Sequence, residues 1–442
     1  MNICLLNDSF PPIIDGVANV VLNYGRALTQ NHGADVVVAT PKYPDADYTG
    51  YPYKVVPYRS IDTSKIVAGY RAGQPLSIRE IDEISDFGPD IIHTHCPASS
   101  TLMARILHHS TGAPIVFTYH TKFDIDIARA VGDGFLKKET IKTMVNNISA
   151  CDEIWTVSQG AGENLKSLGF EGDYRVMPNG VDFARGKADD EAVREAVKGY
   201  DLPNGVPVFL FVGRLVKYKG LPLILNALKI VKESGMDFRM LIVGSGPDEE
   251  ELKKMTEELL LTDKVIFTGP IRDREVLRAI NTRADLFLFP STYDTNGIVV
   301  REAAACGLAS VLIKGSCAAE GITHARNGYL IEETAESMAK LLTEICKDMP
   351  KVKQVGENAM NEIYISWDDA VKLAYDRYSE IIELSKEGKF VKKTEPSEIL
   401  FEAAADAAEA FGKISDKYKD IITHIHHDIE VAKDYVEGQL WQ

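Results

Sequence analysis

Asp285-Leu-Phe-Leu-Phe-Pro290 leads through three residues into Asp294-Thr-Asn-Gly-Ile-Val-Val-Arg-Glu302 and on into Ala303-Ala-Ala-Cys-Gly307. An apolar run, a loop and a helix-forming run in that order are one strand–loop–helix step of a parallel α/β sheet. A helix that starts near Asn296 to Gly297 leaves its first backbone N–H groups unpaired and its dipole positive at that end. The loop in front of it therefore suits a phosphate or another anionic ligand. Asp294 stands before that end and Glu302 lies further along the helix. A carboxylate on the helix can accept from two vicinal hydroxyls, as a ribose presents them, and the loop carboxylate can accept from a second sugar ring. The arrangement suits a nucleotide-linked sugar.

Outward from this step the same rhythm occurs twice. In the first half, β-rich runs at 2–6, 35–39, 90–93, 115–118 and 153–157 are separated in places by helical patterns such as 17–29 and 101–109. Pro178-Asn-Gly-Val-Asp182 is turn chemistry, and the charged stretch 183–204 reads as a linker with a surface helix. The second half restarts at 206–212 and continues at 238–243, 264–267 and 285–289, each followed by helical sequence. The fold class is α/β, with two doubly wound, Rossmann-like halves expected to face each other across a crevice at the carboxyl ends of their strands.

A chain of 442 residues exceeds one ordinary core. Its 49 basic residues against 65 acidic ones give a net charge of −16, and no block of Lys or Arg stands out, which argues against nucleic acid as a partner. An acidic total argues less against an anionic membrane, because a local basic face can hide within it. Cys4, Cys96, Cys151, Cys306, Cys317 and Cys346 form neither a CxxC pair nor a metal-ligand spacing, so they read as reduced thiols. The first residues look like a strand rather than a signal peptide, and no run approaches a membrane span. The expected location is the cytoplasm, with the cytoplasmic face of a membrane as a candidate.

Gly213-Arg-Leu-Val-Lys-Tyr-Lys-Gly220 follows the first strand of the second half. Arg214 and Lys219, a forked guanidinium and a mobile ammonium beside a helix N-terminus, can neutralise a diphosphate leaving group without a metal. Alone they would read as solvated surface, and the Glu302 element shifts the balance. Asp8-Ser-Phe-Pro-Pro-Ile-Ile-Asp-Gly16 leaves the first strand by a loop ending in a glycine that permits close backbone approach to a ligand, although an ordinary βα turn has the same features. No GxGxxG follows that strand, and Gly244-Ser-Gly-Pro247 runs into acids rather than a third glycine, which argues against NAD. His93 and His95 alternate on one strand face and read as structural hydrogen-bonding groups rather than metal ligands. His120, just past the strand 115–118, is the histidine read as functional. His424-Ile-His-His427 reads as a wet helical face.

Taken together these residues resemble family four of the retaining glycosyltransferases, with the two-Rossmann GT-B fold. The resemblance covers roughly residues 1–385 and rests on the Gly16 loop, Asp90-Ile-Ile-His-Thr-His95, Phe117-Thr-Tyr-His120, Asn179-Gly-Val-Asp182, Gly213-Arg-Leu with Lys219-Gly220, and the acidic pair separated by seven residues. It implies that Arg214 and Lys219 bind the donor diphosphate, Glu302 the nucleotide ribose and Asp294 the donor sugar, with His120 near the reacting carbon and Gly16 letting its loop close on the donor. Ile271, Asn296, Gly297 and Ile298 complete the implied donor-binding set, and His120, Arg214, Lys219 and Glu302 the catalytic one. One departure is that the first acid of the pair is usually Glu, and Thr-Asn follows it where Pro-Phe or similar is common. Asp reaches one methylene less far, so the backbone must come closer or a different hydroxyl must be read.

The implied activity is transfer of a hexose, expected to be glucose, from a nucleotide diphosphate sugar, expected to be UDP-linked, to an acceptor hydroxyl with retention. No metal or cofactor is implied. The implied division is an acceptor-side domain at 1–184 joined by a returning crossover helix at about 366–385, a nucleotide-sugar domain at 185–365, and a linker with a helical tail at 386–442. Tyr119-His-Thr-Lys-Phe-Asp124 resembles the matching segment of bacterial diacylglycerol glucosyltransferases, which makes Tyr119, Lys122 and Asp124 candidates on the acceptor side and a lipid or sugar the acceptor. Phe135-Leu-Lys-Lys-Glu-Thr-Ile-Lys-Thr-Met144 is a candidate amphipathic membrane contact, with a plain surface helix as the alternative. In the tail, Phe411, Ile414, Tyr418, Ile421 and Ile425 form one apolar stripe, expected to pack on the enzyme's own body or on a second copy in a homodimer, with a partner protein as the lesser alternative. The rival readings are an epimerase or phosphorylase on the same fold, and a non-catalytic relative. The first would need an added base that no motif supplies, and the second would be expected to lose Arg214, Lys219 or Glu302.

Overall fold

The computed structural model describes residues 1–13, 15–44, 46–63, 70–124, 127 and 132–390. The chain begins with β1 (Asn2–Leu6), α1 (Gly16–His32), β2 (Asp35–Pro41), β3 (Lys54–Tyr58), β4 (Ser60–Asp62), β5 (Arg71–Gly73), α2 (Ile78–Phe87), β6 (Ile91–Thr94), α3 (Ser99–Thr111) and β7 (Ile115–Tyr119). It continues with α4 (Phe135–Ser149), β8 (Glu153–Thr156), α5 (Gln159–Ser167), β9 (Arg175–Val176), α6 (Asp190–Ala196), β10 (Val208–Val212), α7 (Leu221–Glu233), β11 (Arg239–Val243), α8 (Glu249–Glu258) and β12 (Val265–Gly269). The remaining elements are α9 (Arg274–Arg283), β13 (Leu286–Phe289), α10 (Ile298–Ala305), β14 (Ala309–Ile313), β15 (Tyr329–Ile331), α11 (Ala335–Ile345), α12 (Met349–Glu362) and α13 (Trp367–Lys386).

Two Rossmann-like sheets result. Seven strands run in the order β3-β2-β1-β6-β7-β8-β9 and six in the order β12-β11-β10-β13-β14-β15, while β4 and β5 form a separate antiparallel hairpin. The β10 register, Phe209 against Met240 of β11 and against Leu286 of β13, is parallel on both sides. Strands covered on both faces must be apolar throughout, and Val208-Phe-Leu-Phe-Val212 is fully buried. Phe209 stacks on Phe238 at 5.8 Å and Phe211 on Phe289 at 5.9 Å, so aromatic rings tie neighbouring strands together. Helix α7 covers this sheet with Leu221, Ile224, Leu225, Leu228 and Val231, a helical stripe in which each buried aliphatic contributes roughly 1.5–3 kcal/mol.

By contact the described residues divide into two compact units, Met1–Phe117 with Asn146–Glu153 and 378–390, and Thr118–Val145 with Ile154–Arg377. In the first unit, His93 is fully buried and its Nδ1 shares a hydrogen bond of 2.5 Å with Tyr378 Oη, while its ring lies 4.0 Å from that of His95. Both histidines thus sit in an aromatic and hydrogen-bonded core. In the second unit, the Asn179–Asp182 turn lies against the start of α13, with Val181 N donating to Ile365 O. A Cβ at Gly180 would come within 2.5 Å of the Trp367 backbone, which is why this turn carries a glycine.

The strands unforeseen from sequence are β3, β9, β14, β15 and the β4–β5 hairpin. The tail stripe from Phe411 to Ile425 and the histidines at 424–427 lie outside the described residues.

Candidate active site

The six-stranded sheet reverses direction of growth between β10 and β13, with β11 and β12 on one side and β14 and β15 on the other. Loops leaving the carboxyl ends of the two strands flanking such a reversal diverge and leave room for a ligand. The β10 loop carries Arg214 and Lys219, and the β13 loop carries Asp294. Lys219 Nζ lies 2.8 Å from Asp294 Oδ1, and Ser291 Oγ donates to Asp294 Oδ2 at 2.6 Å. The ammonium also sits 5.5 Å from the Phe289 ring centroid, and Tyr218 packs on Tyr293 at 5.1 Å. The two loops are therefore joined by an ion pair and by an aromatic contact. Arg214 is exposed and makes no ion pair among the described residues.

Helix α10 begins after Gly297, whose φ of 56° is in the left-handed region and whose missing side chain leaves the first turn without a side-chain cap. The helix N-terminus therefore offers N–H groups and the positive end of its dipole beside Lys219 and Asp294. Asn296, whose amide is buried without a hydrogen-bond partner among the described residues, lines a cavity of about 10 Å³ together with Arg301, Cys317 and Glu320. Glu302, one turn into α10, is buried and accepts at Oε1 from Arg274 Nη2 at 2.5 Å. Burial pushes the Glu302 carboxyl up, the Arg274 charge and hydrogen bond pull it back, and Asp182 adds a smaller upward push. The Arg274 guanidinium lies 4.5 Å over the Phe183 ring and 3.9 Å from Asp182 Oδ2. Ile271 lies on the loop after β12, half-buried against the same core.

His120 follows β7 and is buried, and its carbonyl oxygen accepts from Thr295 Oγ1 at 2.5 Å. Lys122 Nζ donates to Thr292 O at 3.3 Å, and Ser158 Oγ donates to Thr295 O. His120 and Lys122 are thus brought to the Asp294 loop by one hydrogen bond each, and Ser158 adds a third bond to that loop. Tyr119 is buried under this segment, with its hydroxyl donating to Asn164 Oδ1 at 2.6 Å and its phenol pushed up by burial. Asp124 is partly buried, and its Oδ1 has no hydrogen-bond partner among the described residues. Gly16 opens α1 in the other unit, behind Asp15, whose Oδ1 caps Val17 N at 2.9 Å and Ala18 N at 2.7 Å. A Cβ at Gly16 would meet no described atom within 4 Å.

Ser158, Ser291, Thr295 and Arg274 are additions that sequence reasoning did not supply. Thr295 lies inside the quoted stretch and could have been found as a hydroxyl next to an expected sugar ligand. Arg274 is the first residue of a helix capped by Asp273, and nothing local to it points to Glu302, 28 residues on.

Two family models divide the chain between them, "Glycosyltransferase Family 4" over residues 14–185 and "Glycosyl transferases group 1" over residues 193–362. The alpha-monoglucosyldiacylglycerol synthase of Streptococcus pneumoniae is 25% identical over 70% of this chain and 70% of its own length. The sulfoquinovosyl transferase of Arabidopsis thaliana is 26% identical over 84% of this chain and 71% of its own. Among solved structures, Anabaena HepE in complex with UDP superposes with a TM-score of 0.68 at 18% identity, over 86% of this chain and all of that one, a likeness of fold. With both halves matched and the sheets wound as the fold requires, the chain belongs to glycosyltransferase family 4 and is a retaining GT-B hexosyltransferase that takes its sugar from a nucleotide-sugar donor.

Proposed function

We propose that the chain transfers glucose from UDP-glucose, with retention, to a hydroxyl of a lipid acceptor, diacylglycerol or a glycolipid. The observation that carries the donor half of this reading is the Lys219–Asp294 pair at the strand reversal, beside the uncapped N-terminus of α10. An incoming diphosphate brings more negative charge than a single carboxylate, so it draws Lys219 away from Asp294. Asp294 is then free to accept from donor-sugar hydroxyls. In this reading residues 1–184 with 366–385 serve the acceptor and 185–365 the donor.

Bond breaking at the anomeric carbon sends an electron pair to the β-phosphate oxygen. Arg214, Lys219 and the α10 N–H groups receive that charge already in position, and each such group is worth about 2.7–4 kcal/mol of barrier. The acceptor oxygen bonds to the same face of the carbon, and the departing phosphate oxygen takes the acceptor's proton. His120 hydrogen-bonds the hydroxyls of the sugar ring. No protein nucleophile enters, and the cations leave no charge that requires a metal. The lipid half draws on the pneumococcal relative and on the exposed start of α4.

Calorimetric titration with UDP, GDP and ADP, and with their glucose conjugates, tests the donor half. UDP and UDP-glucose are expected to bind at micromolar strength, and Glu302→Ala to lose that binding while staying folded. Tighter binding of another base would replace UDP in the reading, and wild-type affinity in Glu302→Ala would overturn the ribose role.

A further inference from the structure

Asn179-Gly-Val-Asp182 and the phenylalanine after it belong to no step of the chemistry above, yet they hold a charged side chain against the core of the site. Phe183 lies under the Arg274 guanidinium at 4.5 Å, Asp182 approaches it to 3.9 Å, and its Nη2 donates to Glu302 Oε1 at 2.5 Å. A ring face, one carboxylate at a distance and one in contact fix a planar group in position and orientation. Glu302 Oε2 makes no hydrogen bond among the described residues.

We propose that Arg274 is the positioning residue of the nucleotide pocket, engaging one oxygen of Glu302 so that the other is turned to the ribose hydroxyls of the donor. This rests on the ribose role given to Glu302 above. The geometry also meets an electrostatic need. A buried carboxylate without a cation tends to take up a proton, and a protonated acid is a weaker acceptor for two hydroxyls. Among the described residues, the charged and titratable groups about Glu302 are Arg274 on α9, Asp182 after β9, and Cys306 at the end of α10, with Arg278 and Glu275 of α9 next to Cys306. Arg274 is the cation in contact. Removing it leaves Asp182 and burial acting together in the upward direction, so Glu302 would protonate at higher pH.

The test is calorimetric titration of the full chain with UDP and with 2′,3′-dideoxy-UDP across about pH 5.5 to 8, with Arg274→Gln, Arg274→Lys and Glu302→Ala. In the wild type UDP affinity is expected to be level with pH and clearly above that of the dideoxy ligand. Arg274→Gln is expected to weaken UDP about tenfold, or about 1.4 kcal/mol, at the alkaline end. The loss should deepen as pH falls, and UDP should lose its advantage over the dideoxy ligand. Arg274→Lys keeps the charge without the fork and should restore the level profile with only part of the affinity. A level, wild-type profile in Arg274→Gln, or equal weakening of both ligands at every pH, would overturn the positioning role. Wild-type UDP affinity in Glu302→Ala would instead sink the ribose reading itself, so the two failures are told apart.

Discussion

Thr295 donates from Oγ1 to the His120 carbonyl at 2.5 Å, and its own carbonyl accepts from Ser158 Oγ, the N-cap of α5. Two hydrogen bonds from one residue next to Asp294 draw the loop toward the His120 segment. Asp294 is the shorter acid where the resemblance leads one to expect Glu, and we propose that a loop held by these two bonds offsets the missing methylene. The outcome expected for Thr295→Val, which keeps shape and loses the donor, is kcat down about tenfold or more, since misplacement of reacting groups by about 1 Å can cost a hundredfold. KM should change little, and Thr295→Ser should recover most of the rate. Steady-state kinetics on the three proteins decide it, and an unchanged kcat in Thr295→Val would remove the residue from the site. The same scale shows what a sequence discloses. Arg214 with Lys219, and Asp294 with Glu302, stand out because each pair is read along a single strand–loop–helix step, the first after β10 and the second after β13. Arg274 and Thr295 act through contacts that exist only after the chain has folded, and neither breaks a local pattern.

Helix α4 begins with Phe135 and Leu136, 80% and 59% exposed, beside Lys137, Lys138 and Lys142. Two apolar side chains in water next to three cations fit an anionic interface, where the apolar groups enter the headgroup boundary and the lysines meet phosphates. No described helix is long and apolar enough to cross a membrane. Flotation with vesicles rich in phosphatidylglycerol should therefore carry the wild-type chain upward at low salt and lose it at high salt. Phe135→Ser with Leu136→Ser should stay at the bottom in both, and flotation equal to wild type would leave the helix as plain surface. Elements differ in how far their sequences announce them. The runs that became β10 and β13 are apolar throughout because both faces are covered, and β11 departs from this only at its first residue, Arg239. Strand β3 contains Pro57, and β9 has two exposed residues, so neither shows a buried run. Strand β14 follows Gly307 so closely that it reads as an extension of the α10 segment.

Across the whole molecule, each unit keeps a carboxylate out of water near the strand reversal of its sheet. In one it is Glu302, and in the other Asp8, just past β1. Asp8 keeps an edge in solvent, but its carboxyl is enclosed by Ser100, Tyr58 and Cys96. Its Oδ1 accepts from Ser100 N at 2.8 Å, Ser100 Oγ at 2.5 Å and Tyr58 Oη at 3.3 Å. Burial outweighs these bonds and pushes the Asp8 carboxyl up, as it does for Glu302. A carboxyl raised on folding contributes stability that is fully present below its unfolded pKa, about 3.9 for Asp, and is lost as pH rises through the folded value. Unfolding should thus occur at a higher temperature in mildly acidic buffer than at neutral pH. Asp237 and Asp263 lean the other way beside Lys264 and Lys232, but they are exposed and screened by salt. The net charge of −16 acts in the same direction as the two buried acids and is screened too. At high salt the contribution of Asp8 therefore remains in the slope, and Asp8→Asn, which keeps an acceptor for Ser100, should make the slope shallower and raise the midpoint at neutral pH. Thermal unfolding of both proteins over the same pH range is the measurement, and a variant that melts lower at neutral pH with an unchanged slope would show that the Asp8 charge is held by its hydrogen bonds at no cost.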